Sequence, residues 1–144
     1  MYATHLAHEY HASALRQAQV RSIADLVAAT ANGSFPAVIA GDLNADPSCD
    51  EVRMLTGRAA VPVPGLVFHD SWDLAGRGPG HTWSNRNPHA RSSLGPARRI
   101  DYVLVGATGP EGVGHPVRAR LAGTSAVGGT LPSDHYAVVA DLRY

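Results

Sequence analysis

Six acidic, amide or imidazole side chains stand where the predicted strands of this chain meet loops. They are His5, Asp42, Asn44, Asp101, Asp134 and His135. In open α/β sheets, side chains at strand ends converge on one crevice even when they are far apart in sequence. Carboxylates that converge with an amide and imidazoles suit a hard divalent cation and an attacking water, because Mg²⁺ prefers oxygen ligands and retains waters. The pattern therefore predicts one polar site assembled from distant segments.

Each of these residues also has a simpler interpretation. The Gly41-Asp42-Leu43-Asn44 segment has the residue types of a turn, and Asp101 could be a buried residue that accepts bonds from backbone N–H groups. His5, His8 and His11 recur every three residues, but His8 and His11 fall in a polar loop before the first predicted helix. We therefore expect these histidines at the surface and not in a zinc site.

The densest basic cluster consists of Arg91, Arg98 and Arg99, beside a long predicted loop. A guanidinium binds phosphoryl oxygens bidentately, so the cluster could clamp a phosphate. A solvated loop face explains it equally well. Of the three, Arg99 is predicted to bind substrate. Nearby Trp83 is expected to anchor the core or a loop and not to stack on a base.

A long helix and two apolar strands are predicted to position these residues. Residues 12–31 contain no Gly or Pro and have apolar residues at helical spacing, and Asn32-Gly33 supplies a C-terminal stop. The apolar run 37–40 predicts a buried strand that ends just before Asp42. The run 100–105 is the best strand of the chain, with β-favouring residues around one aspartate.

The remaining segments alternate short elements with loops. Ser48 and Glu51 have the spacing of a capping box, which predicts a helix over 49–55. The other predicted elements are a loop over 56–68, a helical turn over 71–74, a long loop over 76–96 broken by a short strand at 81–84, and strands over 117–121 and 136–142. Together they predict one domain of mixed α/β type.

Length and composition also predict one folded domain over residues 1–144. Hydrophobic residues make up 44% of the chain, too many for a disordered protein. The 12 basic residues, all Arg, balance 12 acidic residues, so no net charge attracts nucleic acid or an anionic membrane. The single Cys49 excludes an intrachain disulfide and a cysteine-based zinc site. No apolar run could span a bilayer and the first residues are not an export signal, so we expect a cytoplasmic location.

Five segments resemble, in order, the motifs of one enzyme superfamily. They are Thr4-His5-Leu6 with Arg16 and Gln19 of the helix, Gly41-Asp42-Leu43-Asn44, His81-Thr82-Trp83-Ser84, Arg99-Ile100-Asp101-Tyr102-Val103-Leu104-Val105, and Ser133-Asp134-His135. Their types and order resemble those of the endonuclease/exonuclease/phosphatase superfamily, the DNase I-like metal-dependent phosphoesterases. The matching segments cover nearly the whole chain.

The resemblance implies a role for each motif residue. Asp42 would hold and activate the attacking water, and Asn44 would bind the scissile phosphate or a metal-bound water. Asp134, together with Asp42 and Asn44, would ligate Mg²⁺ or Mn²⁺. His135 would donate a hydrogen bond to the phosphate and be oriented by Asp101, since a carboxylate fixes the tautomer of an imidazole and supports its positive charge.

The implied activity is hydrolysis of a phosphodiester or phosphomonoester by an activated water, as in a nuclease or phosphatase. His5 would be a second imidazole that faces the phosphate. Nucleic acid, a lipid headgroup and a small phosphoester are all substrates that such motifs serve. The alternative is a catalytically incomplete fragment that acts only as a folded or oligomerising module.

The resemblance also implies a fold, an α/β/β/α sandwich of two packed sheets. The family pattern begins with an Asn-bearing strand and a metal-binding Glu upstream of the Thr-His segment, and only residues 1–3 precede that segment here. The chain therefore resembles about the C-terminal half of the sandwich. A sheet around Val38, Val103 and Val138 would then show water an apolar face, which predicts a homodimer through that face.

Overall fold

The computed structural model describes residues 1–90 and 95–144. The strands are β1 (Tyr2–His5), β2 (Val38–Asp42), β3 (Phe68–Asp70), β4 (Asp101–Gly106), β5 (Pro116–Ala122) and β6 (Ala137–Leu142). The helices are α1 (Ser13–Thr30), α2 (Asp50–Leu55) and α3 (Ser71–Ala75), and a 3-10 turn covers Pro110–Gly112. The mixed α/β class is confirmed, and the predicted helices and the strands at 37–40, 100–105, 117–121 and 136–142 are present with ends shifted by one or two residues. The short β3 was not predicted.

β1, β2, β4 and β3 form one sheet in that order. β1 runs parallel to β2, whereas β4 runs antiparallel to both β2 and β3. One face of the sheet packs on α1 and α2, and the buried side chains there include Val20, Val27, Ile39, Leu55, Phe68, Tyr102 and Leu104. No helix in the described ranges is both long and apolar enough to cross a membrane.

β5 and β6 form a separate antiparallel pair, and β6 contacts β4 of the larger sheet. The expectation that Val38, Val103 and Val138 share one sheet is wrong. Val138 lies in the smaller sheet because β6 pairs with β5, the strand that precedes it in the chain. All three valines are half-buried, so these three side chains do not together form the exposed apolar face on which the homodimer prediction was based.

β1 and β2 approach each other closely at Gly41. This glycine has a φ of 148°, and a Cβ at this position would lie 1.8 Å from the carbonyl oxygen of Thr4. A side chain is therefore excluded by the strand spacing as well as by the backbone conformation. The close approach holds the C-terminal ends of the two strands together, where His5 pairs with Asp42.

Two predictions of local structure are wrong. The capping box of Ser48 and Glu51 does not form, because the N-cap of α2 is Cys49 without a side-chain cap. Glu51 is fully buried, and its Oε1 accepts a hydrogen bond from Arg16 Nε at 2.9 Å. The strand predicted at 81–84 is reduced to single bridges that Trp83 makes with two other segments.

Candidate active site

Three neighbouring strands bring His5, Asp42 and Asp101 into one row. In the strand register, Asp42 of β2 pairs with His5 of β1 on one side and with Asp101 of β4 on the other. Tyr102 belongs to the core on the helix side, and successive side chains of a strand point to opposite faces. Asp101 therefore projects from the face away from the helices. The row lies at the edge of the sheet where β1 and β2 end and β4 begins.

His135 joins this row from the segment before β6. Its Nδ1 lies 2.8 Å from Asp101 Oδ2, and its Nε2 lies 3.9 Å from Asp42 Oδ2. The Nε2 atom of His5 lies 3.5 Å from the same Asp42 oxygen. Two imidazoles therefore flank one carboxylate, while a second carboxylate holds the His135 ring.

The surroundings shift two protonation equilibria in this cluster. The hydrogen bond to Asp101 raises the pKa of His135, and the negative charges of Asp101, Asp42 and Asp134 act in the same direction against partial burial. Burial raises the pKa of Asp42, with a further contribution from the charge of Asp101, whereas the Asn44 N–H and both imidazoles oppose the rise. These surroundings favour the protonated form of His135 and the neutral form of Asp42 relative to the same groups in water.

Asn44 fixes the Asp42 carboxylate through a turn. Its backbone has a φ of 49°, and its N–H donates to Asp42 Oδ1 at 2.8 Å. The side-chain Nδ2 donates to the carbonyl oxygen of Leu6 at 3.0 Å. The segment therefore forms the turn that its residue types predict, and the turn itself orients the Asp42 carboxylate.

Thr82 positions the start of β4. Its side chain is completely buried, and its Oγ1 accepts hydrogen bonds from the N–H groups of Ile100 and Asp101 at 3.1 and 3.2 Å. The next residue, Trp83, pairs with Arg98 through two backbone bonds, and its ring meets the His135 ring edge-on at 4.8 Å. Thr82 therefore holds the backbone of Asp101, and Trp83 packs against the ring of His135.

Two side chains of α1 hold the segment between β1 and α1 through hydrogen bonds to its backbone. Arg16 Nη1 donates to the carbonyl oxygens of Ala7 and Glu9 at 3.2 and 2.6 Å. Gln19 Oε1 accepts from the N–H of Ala7 at 3.0 Å. These bonds fix the loop that follows His5, so Arg16 and Gln19 serve the site through the backbone.

A cavity of about 580 Å³ opens over the cluster. It is lined by His5, His8, Tyr10, Asp42, Asn44, Trp83, Arg98, Ile100, Asp101, Ser133, Asp134 and His135. Sequence reasoning did not assign Tyr10 or Ile100 to the site, and it placed His8 at the surface; His8 is exposed but also lines the cavity. Only the geometry of the loop after β1 brings His8 and Tyr10 to this position, and no motif signals it.

The arginine cluster separates into different environments. Arg99 does not line the cavity: its guanidinium is buried and bonds to Asp70 Oδ2 and to Asp73 Oδ1 at 2.5 and 2.9 Å. The prediction that Arg99 binds substrate is therefore corrected. Arg98 lines the cavity, bonds to Asp46 Oδ2 at 2.9 Å and lies over the Tyr10 ring at 5.0 Å. The third member, Arg91, lies outside the described residues.

The donor atoms of the cluster fit part of a divalent cation site. One carboxylate oxygen each from Asp42 and Asp101 and a ring nitrogen of His135 lie within 4.8 Å of one another. Carboxylate oxygens are the ligands that hard cations prefer. Asp134 lines the same cavity but does not belong to this group of three.

The chain matches the sequence profile of the Endonuclease/Exonuclease/phosphatase family over residues 4–135. The chain belongs to this family. The motifs implied the DNase I-like fold, and solved structures confirm that expectation. Truncated TDP2 from Caenorhabditis elegans superposes with a TM-score of 0.73 at 23% identity, over 99% of this chain and 53% of that chain.

Two further solved structures have the same fold. TDP2 from D. rerio, complexed with a single-strand DNA product, gives a TM-score of 0.75 at 20% identity and covers 99% of this chain and 55% of that chain. A family protein from Bacteroides vulgatus gives 0.70 at 22% identity, over 98% and 48%. The chain thus spans about half the length of these structures. A comparison with curated proteins found no match.

Proposed function

We propose that this chain acts as a phosphoester hydrolase through the Asp42-Asp101-His135 cluster. The observation that carries the proposal is the 2.8 Å contact between His135 Nδ1 and Asp101 Oδ2, within a polar cavity of a family member. This contact supports positive charge on His135, so its Nε2–H can donate to a phosphoryl oxygen. Asp42 accepts a proton from the attacking water, and Asn44 and His5 bind the phosphate.

A divalent cation, Mg²⁺ or Mn²⁺, completes this proposal. Asp42, Asn44 and Asp134 are the residues of this chain that we propose as its ligands. When bound, such a cation polarises the phosphoryl oxygen and lowers the pKa of a coordinated water. The cavity gathers the carboxylates of Asp42, Asp101 and Asp134, and this set of oxygen donors supports cation binding here.

The substrate is proposed to be a phosphodiester or phosphomonoester, with nucleic acid as the favoured class. The support is indirect: the D. rerio neighbour holds a single-strand DNA product. The alternative of a catalytically incomplete module is not favoured, because the polar residues converge on a cavity and are not dispersed. A homodimer stays a prediction, and sedimentation equilibrium of the 144-residue chain tests it.

Hydrolysis of bis(p-nitrophenyl) phosphate and p-nitrophenyl phosphate by the 144-residue chain tests the proposal. We expect turnover of at least one substrate with Mg²⁺ or Mn²⁺, and loss of turnover in EDTA. Asp42→Ala is expected to lower kcat on the order of a hundredfold. Asp50→Ala, an exposed aspartate of α2 outside the cavity, serves as the control. Turnover that is equal in EDTA, or absent under all conditions, would contradict the proposal.

A further inference from the structure

A second set of cavities lies on the other side of the segment that carries Trp83. One groove of about 670 Å³ runs between α3 and β5. A second groove of about 760 Å³ shares Trp72, Arg77 and Leu121 with the first and extends past His81 and Ser84. Because these residues line both grooves, the two grooves adjoin each other, and we call them together the α3–β5 channel.

The α3–β5 channel is lined by four arginines. They are Arg77, Arg86, Arg118 and Arg120, all exposed. Among the described residues, none of the four forms an ion pair, and no acidic residue lines the channel. By contrast, Arg16, Arg53, Arg58, Arg98 and Arg99 are all paired with carboxylates. The uncompensated positive charge of the described chain is thus concentrated here, although its net charge is zero.

The backbone that presents these arginines is firmly held. Trp72 Nε1 donates to the carbonyl oxygen of Gly78 at 3.0 Å, which folds the loop after α3 over the indole. A Cβ at Gly80 would lie 2.3 Å from that ring, so the loop packs directly on it. Arg118 and Arg120 alternate along β5 and therefore share one face. Asp141 stands opposite Arg118 in the strand register but lies outside the channel.

We propose that the α3–β5 channel binds the sugar-phosphate backbone of a single-stranded nucleic acid. Arginines without partners bind phosphates bidentately, and repeated phosphates are the ligand that a row of such groups fits. The two adjoining grooves favour an extended chain over a membrane surface, because a chain can lie along a groove whereas a bilayer presents a flat surface.

The channel adjoins the candidate active site. His81 and Ser84 line the channel, whereas Trp83 between them lines the cavity over His135. Tyr136 likewise lines the channel directly after His135. A strand bound in the channel would therefore pass beside the cavity in which its phosphodiester is cleaved. This inference deepens the proposed function and rests on it for the identity of the substrate, but the binding itself does not require catalysis.

Fluorescence anisotropy with a fluorescein-labelled 15-nucleotide oligothymidylate, in EDTA and with His135→Ala protein, tests binding separately from hydrolysis. We expect Arg77→Ser with Arg120→Ser to weaken binding about tenfold. The plot of the logarithm of the association constant against the logarithm of salt concentration has a negative slope. This slope should become shallower by about 1.4, which corresponds to two phosphate contacts at about 0.7 each for a single strand. A mixed-sequence 15-mer should be affected equally, because backbone contacts carry no sequence information.

Arg21→Ser with Arg143→Ser is the matched control, since both residues are exposed and neither lines the channel. Arg86→Ser, in a different loop, provides a second variant should the first fail to fold by circular dichroism. The proposal is overturned if the wild-type chain does not bind the oligonucleotide, if the control weakens binding as much as the channel variants, or if the chain binds phosphatidylserine vesicles but no oligonucleotide. If the wild-type chain binds the oligonucleotide but does not hydrolyse a phosphoester in Mg²⁺ or Mn²⁺, only the proposed function is contradicted.

Discussion

The Asp42-Asp101-His135 cluster and the Arg16–Glu51 pair are both contacts between ionisable side chains, but they differ in access to water. His135 is 25% exposed and Asp101 20%, whereas Arg16 is 5% exposed and Glu51 is completely buried. A group that solvent reaches can exchange protons and ligands, and a buried pair cannot. The first region can therefore do chemistry, while the second fixes α1 against α2 and supports the loop beyond His5.

The largest effect on stability is expected at the buried pair. Arg16→Met should lower the free energy of unfolding by about 3 to 5 kcal/mol, because it leaves the Glu51 carboxylate buried without a counter-charge. Urea denaturation measures this loss. The control is Arg53→Met in the exposed pair with Asp50, where the change should stay below about 1 kcal/mol. Equal losses at the two sites would show that burial does not distinguish these pairs.

His135→Ala should lower kcat strongly and stability little, whereas the expected effect of Arg16→Met is on stability. We expect kcat for phosphodiester hydrolysis to fall on the order of a hundredfold, since a donor to the phosphoryl oxygen is lost. The free energy of unfolding should change by about 1 kcal/mol or less, because the ring is partly solvated. Steady-state kinetics and urea denaturation on the same preparation give both values. A large loss of stability with unchanged kcat would assign His135 a structural role.

Metal-free protein should show a raised His135 pKa that depends on Asp101. Nuclear magnetic resonance titration of the imidazole should give a midpoint above the ordinary 6.5, and Asp101→Asn should lower it. Because the folded-state pKa is raised, the contribution of protonated His135 to stability is fully present below about pH 6.5 and is lost as pH rises through the folded-state value. The stability difference between wild type and Asp101→Asn should therefore shrink on going from pH 6 to higher pH. A midpoint that does not respond to Asp101→Asn contradicts this coupling.

The smallest expected effect on kcat concerns Thr82, which acts on the cluster only through the backbone of β4. Thr82→Val keeps the shape but leaves the N–H groups of Ile100 and Asp101 without their shared acceptor. We expect about 1 to 3 kcal/mol of destabilisation and a few-fold loss of kcat. Thr56→Val, whose hydroxyl bonds only within α2, is the control. A loss of kcat as large as that of His135→Ala would mean that Thr82 contacts the substrate.

The sequence was sufficient for most elements because their signals are local. Apolar spacing predicts α1, and β-favouring runs predict β2 and β4, each stabilised by its own pattern. Motif order was likewise sufficient to place Asp42, Asp101 and His135 in one site. Pairing between distant segments was not predictable: a Glu three residues after a Ser indicates a capping box, but Glu51 bonds to Arg16, which is 35 positions away.

The adjacent arginines show why Arg99 was wrongly predicted to bind substrate. Arg98 and Arg99 lie next to each other just before β4, where successive side chains point to opposite sides. Arg98 therefore lines the cavity, and Arg99 is buried against Asp70 and Asp73. Composition alone gives both residues the same positive charge. Their different partners depend on α3 and β3, and β3 was too short to be recognised.

A double-mutant cycle on Asp101 and His135 tests most directly whether their contact serves hydrolysis. Wild type, Asp101→Asn, His135→Ala and the double variant are compared by kcat in Mg²⁺ or Mn²⁺. If Asp101 acts by holding and charging His135, the double variant should lose little more kcat than His135→Ala alone. Losses from the two single variants that multiply in the double variant would contradict the account, because Asp101 and His135 would then act independently.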